Sequence, residues 1–205
     1  MSMSQKRSQN IRYMTHLALL IALQIVLTVT PVGFFSFGGI SITIVHIPVL
    51  IGAITLGVKA GAVLGGCFGI SSMLVATMRA PSPADQIFSP FLSGSMWSFV
   101  LAFVPRLLCG LFAALVFIAA KRLIKKDVPS AAIAAAIGSL TNTVLVLSFI
   151  YLFFGKIYAE LNGVTLDVLV GLFITAAGTN GIVEMLLAAF LCSVLVKPIQ
   201  KTIGA

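Results

Sequence analysis

Long apolar runs, separated by short groups of Gly, Pro and charged residues, are the feature that most constrains this 205-residue chain. Hydrophobic residues make up 60% of the sequence and charged residues only 9%, whereas soluble domains are about 25% charged. So few charges cannot cover a surface that faces water. The sequence therefore indicates a multi-pass protein of the cell membrane, whose natural unit of length is a span of roughly 20 residues.

The apolar runs predict an all-α integral membrane protein with six transmembrane helices, in a single domain that covers residues 1–205. The predicted spans are residues 14–30, 41–57, 59–77, 95–120, 129–154 and 166–196. We interpret the first run as a retained helix, because it is long for the apolar core of a signal peptide and ends in Thr30-Pro-Val-Gly33.

The distribution of Lys and Arg predicts that both termini are cytoplasmic, because cytoplasmic loops of membrane proteins collect positive charge. With the N-terminus inside, the outer connections hold only Arg79 and Lys156. The cytoplasmic segments hold ten basic residues: Lys6, Arg7, Arg12, Lys59, Lys121, Arg122, Lys125, Lys126, Lys197 and Lys201. An even number of spans, such as six, returns the chain to the side on which it began.

Several classes of function lack the residues that they need. The formal charge of +8 does not come from one solvated basic patch, so we expect no nucleic-acid partner. The three cysteines lie in apolar runs without a paired spacing, which argues against a metal site. Neither a phosphate-binding loop nor a zinc-protease or serine-hydrolase motif occurs. We therefore expect a protein that is not an enzyme, with no catalytic residues and no cofactor of its own.

Two ionisable residues fall inside predicted spans, Arg106 and Glu184. Such residues are costly in a bilayer, so each is a candidate functional residue. At about 1.5 Å of rise per residue, both lie roughly 20 Å from the cytoplasmic ends of their helices. Asn142 and Asn180 lie at a similar depth, and Asn180 shares a helix face with Glu184. All four therefore fall at one level in the outer half of the membrane.

Two interpretations of this polar level remain open. An Arg106–Glu184 ion pair with two asparagine clamps would only hold helices together. Alternatively, the four side chains line a cavity open to the outer face, where Arg106 would bind a carboxylate and the asparagines would bind amide or hydroxyl groups. His46, in His46-Ile-Pro48, adds a polar group near the outer side, either as a ligand-binding residue or as a packing residue.

Two other stretches have a composition that calls for an explanation. The first outer connection, residues 31–40, is uncharged and contains Phe34, Phe35 and Phe37. It is either a lid over the cavity or an interfacial aromatic loop. Small residues at four-residue spacing permit close helix packing; they occur as Ala18 and Ala22 in the first span and in the third span as Gly57, Gly61, Gly65 and Gly69.

The chain resembles the S components, the substrate-binding membrane subunits of energy-coupling factor (ECF) vitamin transporters, over nearly its whole length. The Ala18-x-x-x-Ala22 pair stands where that family places a docking motif. Five further stretches are similar to the pantothenate-type branch: His46-Ile-Pro48, Gly57-Val-Lys-Ala-Gly61, Phe88-Ser-Pro-Phe91, Val104-Pro-Arg106 and Thr141-Asn-Thr143.

The resemblance implies a partner complex in the lipid bilayer. A membrane coupling subunit would dock on Ala18 and Ala22, and two cytoplasmic ATPase subunits would use the ATP that this chain cannot hydrolyse. A vitamin would bind from outside in the pocket beneath the Phe34, Phe35 and Phe37 lid. The whole subunit would then topple in the membrane and release the vitamin inside.

The ligand and the source of energy leave alternatives open. Pantothenate, with its carboxylate, amide and two hydroxyls, complements the polar level, but riboflavin, folate or pyridoxine would also find partners there. A self-contained secondary transporter, in which Glu184 carries a proton, is a second hypothesis, although the sequence shows no evident inverted repeat. A structural scaffold without any ligand is a third.

Overall fold

The computed structural model describes residues 3–30, 33–37, 40–79 and 83–204. Apart from one short hairpin, this part of the chain is helical. The strands are β1 (Phe34–Phe37) and β2 (Ile40–Thr43). The helices are α1 (Met3–Val29), α2 (Ile47–Leu56), α3 (Val58–Met78), α4 (Pro90–Ser93), α5 (Trp97–Ile124), α6 (Asp127–Leu161), α7 (Leu166–Ala176) and α8 (Ile182–Gly204).

Five helical segments of the described chain are long and apolar enough to cross a membrane, one fewer than the six predicted spans. The difference is α2, whose ten residues cover only about 15 Å against a hydrocarbon core of about 30 Å. Eight consecutive residues of α2, from Ile47 to Ile54, are buried. A short apolar run of this kind is typical of a helix in a protein core, which explains why hydropathy alone identified it as a span.

The first part of the predicted second span is a strand instead of a helix. Residues 40–43, Ile-Ser-Ile-Thr, form β2, which pairs antiparallel with β1 so that Phe34 lies opposite Thr43 and Phe37 opposite Ile40. Three of these four residues of β2 are β-branched, a composition that favours strands. The helix begins only at Ile47, with Pro48 in its first turn, where proline is best tolerated.

Three other boundaries differ from the prediction. The sixth predicted span is divided, because a π-helical turn, Ala177–Gly181, separates α7 from α8. The first and fifth predicted helices extend into polar sequence, α1 back to Met3 and α6 on to Leu161. The connection between α3 and α5 contains a 3₁₀ turn, Pro83–Phe88, and the short helix α4, and each begins with proline, which is favoured at the first position of a helical turn.

The short helix α2 lies at the centre of the bundle and contacts α1, α3, α5, α6 and α8. Its side chains form the main core together with small residues of the neighbouring helices, such as Ala113, Ala134 and Ala188. A second, smaller apolar cluster joins the 3₁₀ turn to α5 and α6 through Ile87, Leu101 and Phe154. The bundle is therefore organised around a helix that the outer helices enclose.

The glycines of α3 bring its backbone against that of α5. A Cβ atom at Gly61 would lie 2.6 Å from the carbonyl oxygen of Gly110, and a Cβ at Gly65 would lie 2.5 Å from that of Arg106. Gly69 faces Phe103 at 2.8 Å in the same way. Three of the four spaced glycines therefore serve packing inside the protein, whereas Gly57 joins α2 to α3 with a φ of 92°.

We expect Gly65→Ala to lower the free energy of unfolding by about 1–3 kcal/mol, the usual cost of overpacking, because α3 and α5 would have to separate. Gly66→Ala is the matched control, since its Cβ would meet nothing nearer than 3.6 Å. Thermal unfolding of both purified variants in detergent measures the difference. Equal melting temperatures for the two variants would contradict a direct backbone contact at Gly65.

Candidate functional site

A cavity of about 250 Å³, here called the main chamber, opens among α3, α5, α6, β2 and the segment that joins α7 to α8. Four of the five predicted binding residues line it: Arg106, Asn142, Asn180 and Glu184. The other lining residues are Thr43, Phe68, Ser72, Thr143, Val146, Leu147, Ala176 and Gly181. The structure thus brings together polar groups that lie up to 141 positions apart in the sequence, from Thr43 to Glu184.

Arg106 projects from the middle of α5 and is 9% exposed. Its Nη1 atom donates a hydrogen bond to the carbonyl oxygen of Leu101 at 2.9 Å. The guanidinium carbon lies 5.6 Å from the centre of the Phe68 ring and 5.1 Å from that of Phe88, within the range of cation–π attraction. The Nε–H group is buried and has no hydrogen-bond partner among the described residues.

Both asparagines present amide groups to the main chamber. The Oδ1 atom of Asn142 is buried and finds no hydrogen-bond partner in the part of the chain that the structure describes. Asn180 stands in the π-helical turn, where its Oδ1 accepts a hydrogen bond of 3.1 Å from the Thr179 hydroxyl. Turns of this kind inside α-helices occur often at functional sites. Because burying an unpaired polar atom costs free energy, the Asn142 amide and the Arg106 Nε–H both favour a polar guest.

Glu184 is not paired with Arg106: no ion pair joins these two described side chains. Instead, Oε1 of Glu184 accepts a hydrogen bond of 2.6 Å from the backbone N–H of Thr43, the last residue of β2. The two charged groups are thus held by separate backbone contacts. The arrangement gives no support to the interpretation in which an ion pair merely ties helices together.

His46 occupies a different place from the one predicted for a ligand-binding residue. It is only 1% exposed, and its Nε2 atom lies 3.2 Å from the hydroxyl of Ser139 on α6. His46 is not one of the described residues that line the main chamber. Its position at the start of α2, in the core, corresponds to the alternative role in helix packing.

A second compartment of about 230 Å³ shares Arg106 and Ser72 with the main chamber. Its remaining walls come from Thr28, Val75, Ala76, Asp85 and Phe88. Each cavity by itself falls below the roughly 300 Å³ at which small-molecule sites usually begin, and the two together exceed it. Arg106 therefore stands where two halves of one site would meet.

Four polar or aromatic residues of the main chamber were not predicted: Thr43, Phe68, Ser72 and Thr143. Thr143 adjoins Asn142 in the Thr-Asn-Thr stretch, and the Ser71-Ser72 pair is the polar interruption of an apolar run, so both left a trace in the sequence. Phe68 gave no such signal, because a phenylalanine in an apolar helix does not stand out from its neighbours in the sequence. Thr43 reaches the chamber only because β2 replaces helix there.

The lid and docking residues are placed as follows. The side chains of Phe34, Phe35 and Phe37 lie outside the described part of the structure, although their backbone forms β1. Ala18 and Ala22 lie on the exposed side of α1, with large apolar neighbours such as Leu19 and Val26. Within the described residues, no group of three His, Cys, Asp or Glu side chains is placed to hold a metal ion.

Comparison with known proteins gives two findings. A family model described as "ECF transporter, substrate-specific component" matches residues 12–199. The chain is also 37% identical over 166 residues to the Pantothenic acid transporter PanT of Lactococcus lactis subsp. cremoris (strain MG1363). The aligned segment covers 78% of this chain and 78% of that protein. Both findings describe transporters and not enzymes.

Proposed function

The chain belongs to the family of substrate-specific components of ECF transporters, and we propose that it is the pantothenate-binding subunit of an ATP-driven vitamin importer. It binds the vitamin from outside in the main chamber and releases it inside when it reorients together with a coupling module. The similarity to a pantothenic acid transporter supports this choice of ligand. The chemistry of the chamber supports it independently.

The observation that carries the proposal is a pair of buried groups without a hydrogen-bond partner among the described residues, the Nε–H of Arg106 and the Oδ1 of Asn142, on two residues that line the chamber. One is a cationic donor and the other a neutral acceptor. Pantothenate offers a carboxylate to the first and hydroxyl or amide hydrogens to the second. Such contacts would satisfy buried groups that otherwise lose their hydrogen bonds to water on folding.

The other groups of pantothenate would contact further residues of the main chamber. Asn180, Thr143 and Glu184 supply further polar atoms for the amide and the two hydroxyls. Phe68 and Val146 provide apolar wall for the methyl groups. The hairpin of β1 and β2, tied to Glu184 through the N–H of Thr43, is the lid of this proposal, with Phe34, Phe35 and Phe37 on its first strand.

Energy comes from partner subunits in this proposal. A membrane coupling subunit docks on α1 at Ala18 and Ala22, which are exposed and small enough to let a partner helix approach closely. Two cytoplasmic ATPases drive that subunit. Both termini are cytoplasmic in this proposal, because the segments that would then lie inside hold most of the Lys and Arg. The short helix α2 would then return the chain between α1 and α3, although it is shorter than a full span.

Two alternatives remain distinct from this proposal. In the first, the ligand is riboflavin, folate or pyridoxine, which would make different contacts with the polar side chains of the main chamber. A proton-coupled secondary transporter would use Glu184, the carboxylate that lines the main chamber. Glu184 already accepts the Thr43 N–H, which makes it an anchor for the hairpin as well.

We expect Arg106→Ala to weaken pantothenate binding by about 2–5 kcal/mol, the scale for truncating one partner of a buried charge pair. Arg122→Ala is the control, because Arg122 lies on the same helix but is exposed near its end. Isothermal titration of both variants, purified in detergent, gives the affinities. Unchanged affinity in a folded Arg106→Ala protein would remove Arg106 from the site.

Liposomes that contain only this chain should bind pantothenate but not accumulate it. A pH gradient across the membrane should make no difference, because the ATPase subunits are absent. Uptake of radiolabelled pantothenate against its gradient, driven by protons alone, would instead establish the secondary transporter. If the chain fails to bind pantothenate but binds another vitamin tightly, that vitamin is its ligand.

Replacing Ala18 and Ala22 together by Leu should leave pantothenate affinity unchanged and abolish ATP-dependent uptake by the assembled complex, because bulkier side chains keep the partner helix away. The control is Ala119→Leu, the same change at an exposed position of α5. Uptake into cells that express the complete transporter measures the effect. Normal uptake by the double variant would place the docking surface elsewhere.

A further inference from the structure

Pro105 interrupts the hydrogen bonding of α5 directly before Arg106. It lies inside the helix, where the N–H of residue 105 would normally donate to the carbonyl of Leu101, four positions earlier. Proline has no N–H, so this carbonyl loses its helical partner. Within a membrane such a freed carbonyl must be satisfied by another group, because water is absent and an unpaired polar atom costs several kcal/mol.

The guanidinium of Arg106 supplies the missing donor. Its Nη1 atom lies 2.9 Å from the carbonyl oxygen of Leu101, in place of the bond that Pro105 cannot make. One side of the guanidinium is thereby tied back to its own helix. The rings of Phe68 and Phe88 also lie close to it, at 5.6 and 5.1 Å. Among the described residues, the Nε–H has no hydrogen-bond partner.

From this geometry we propose that Pro105 is a positioning residue for ligand recognition. By freeing the Leu101 carbonyl it fixes the orientation of Arg106 between the two compartments, and so makes the site prefer a carboxylate over a neutral group. The proposal rests on the proposed function, because it specifies which part of pantothenate the site selects. A freely rotating arginine would lose more conformational entropy on binding and would discriminate less.

Pro198 offers a matched comparison. Like Pro105, it lies beyond the first turn of a long helix, but it is exposed near the end of α8 and lines neither compartment. Replacement of either proline by alanine restores an N–H to the helix and improves helix propensity. The effect of a restored helical N–H should therefore appear in both variants, whereas an effect on Arg106 should appear only in Pro105→Ala. Because Pro105 is buried and Pro198 is exposed, a loss of packing in Pro105→Ala is recognised separately, by equal losses of affinity for both ligands.

The test compares two ligands: pantothenate and its alcohol analogue, in which a hydroxymethyl group replaces the carboxylate. In Pro105→Ala, the new N–H competes with Arg106 for the Leu101 carbonyl and releases the guanidinium. We expect the affinity for pantothenate to fall about tenfold, the loss of one charge-assisted hydrogen bond. Affinity for the alcohol should change little, and the melting temperature should stay the same or rise. Pro198→Ala should match the parent protein with both ligands.

A second variant guards against a change in helix shape as the cause. Phe88→Leu leaves α5 unaltered, removes one ring beside the guanidinium, and should also reduce the preference for pantothenate over the alcohol. Equal losses for both ligands in Pro105→Ala, or an unchanged ratio of the two affinities, would overturn the positioning role. If the parent protein binds neither ligand, the proposed function itself fails, and that outcome is separate.

Discussion

The backbone contact between α3 and α5 is the constraint on which the binding site depends. Gly65 lies against the carbonyl of Arg106, so no side chain separates the two helices at the level of the guanidinium. Phe68, three residues further along α3, can therefore lie beside Arg106 and form a wall of the main chamber. A bulkier residue at position 65 would widen this gap and move the ring away from the charge.

Much of the site could be predicted from the sequence, since polar residues in apolar helices are rare and depth along a helix is a simple function of residue number. Arg106, Asn142, Asn180 and Glu184 were placed at one level in this way, and the structure finds all four around one cavity. The family and the multi-pass membrane location were also predicted, and both are confirmed. The spacing of the α3 glycines indicated close packing, which the contacts with α5 show.

The remaining features depend on tertiary packing, which hydropathy does not report. An apolar run of ten residues in α2 has the same composition whether lipid or protein surrounds it, so the sequence predicted a span where a core helix lies. The sequence left His46 with two roles, ligand binding or helix packing, and in the structure it lies in the core with its Nε2 atom beside the Ser139 hydroxyl on α6. The π-helical turn that carries Asn180 has no sequence signature that we recognise.

The enclosure of α2 has a consequence for how the protein meets its surroundings. Biological membranes differ in thickness, and helices in contact with lipid respond to hydrophobic mismatch by tilting or bending. The buried residues of α2 are surrounded by five other helices, so acyl chains do not press on them. A change in bilayer thickness would therefore act on the lipid-facing helices and not directly on the buried residues of α2.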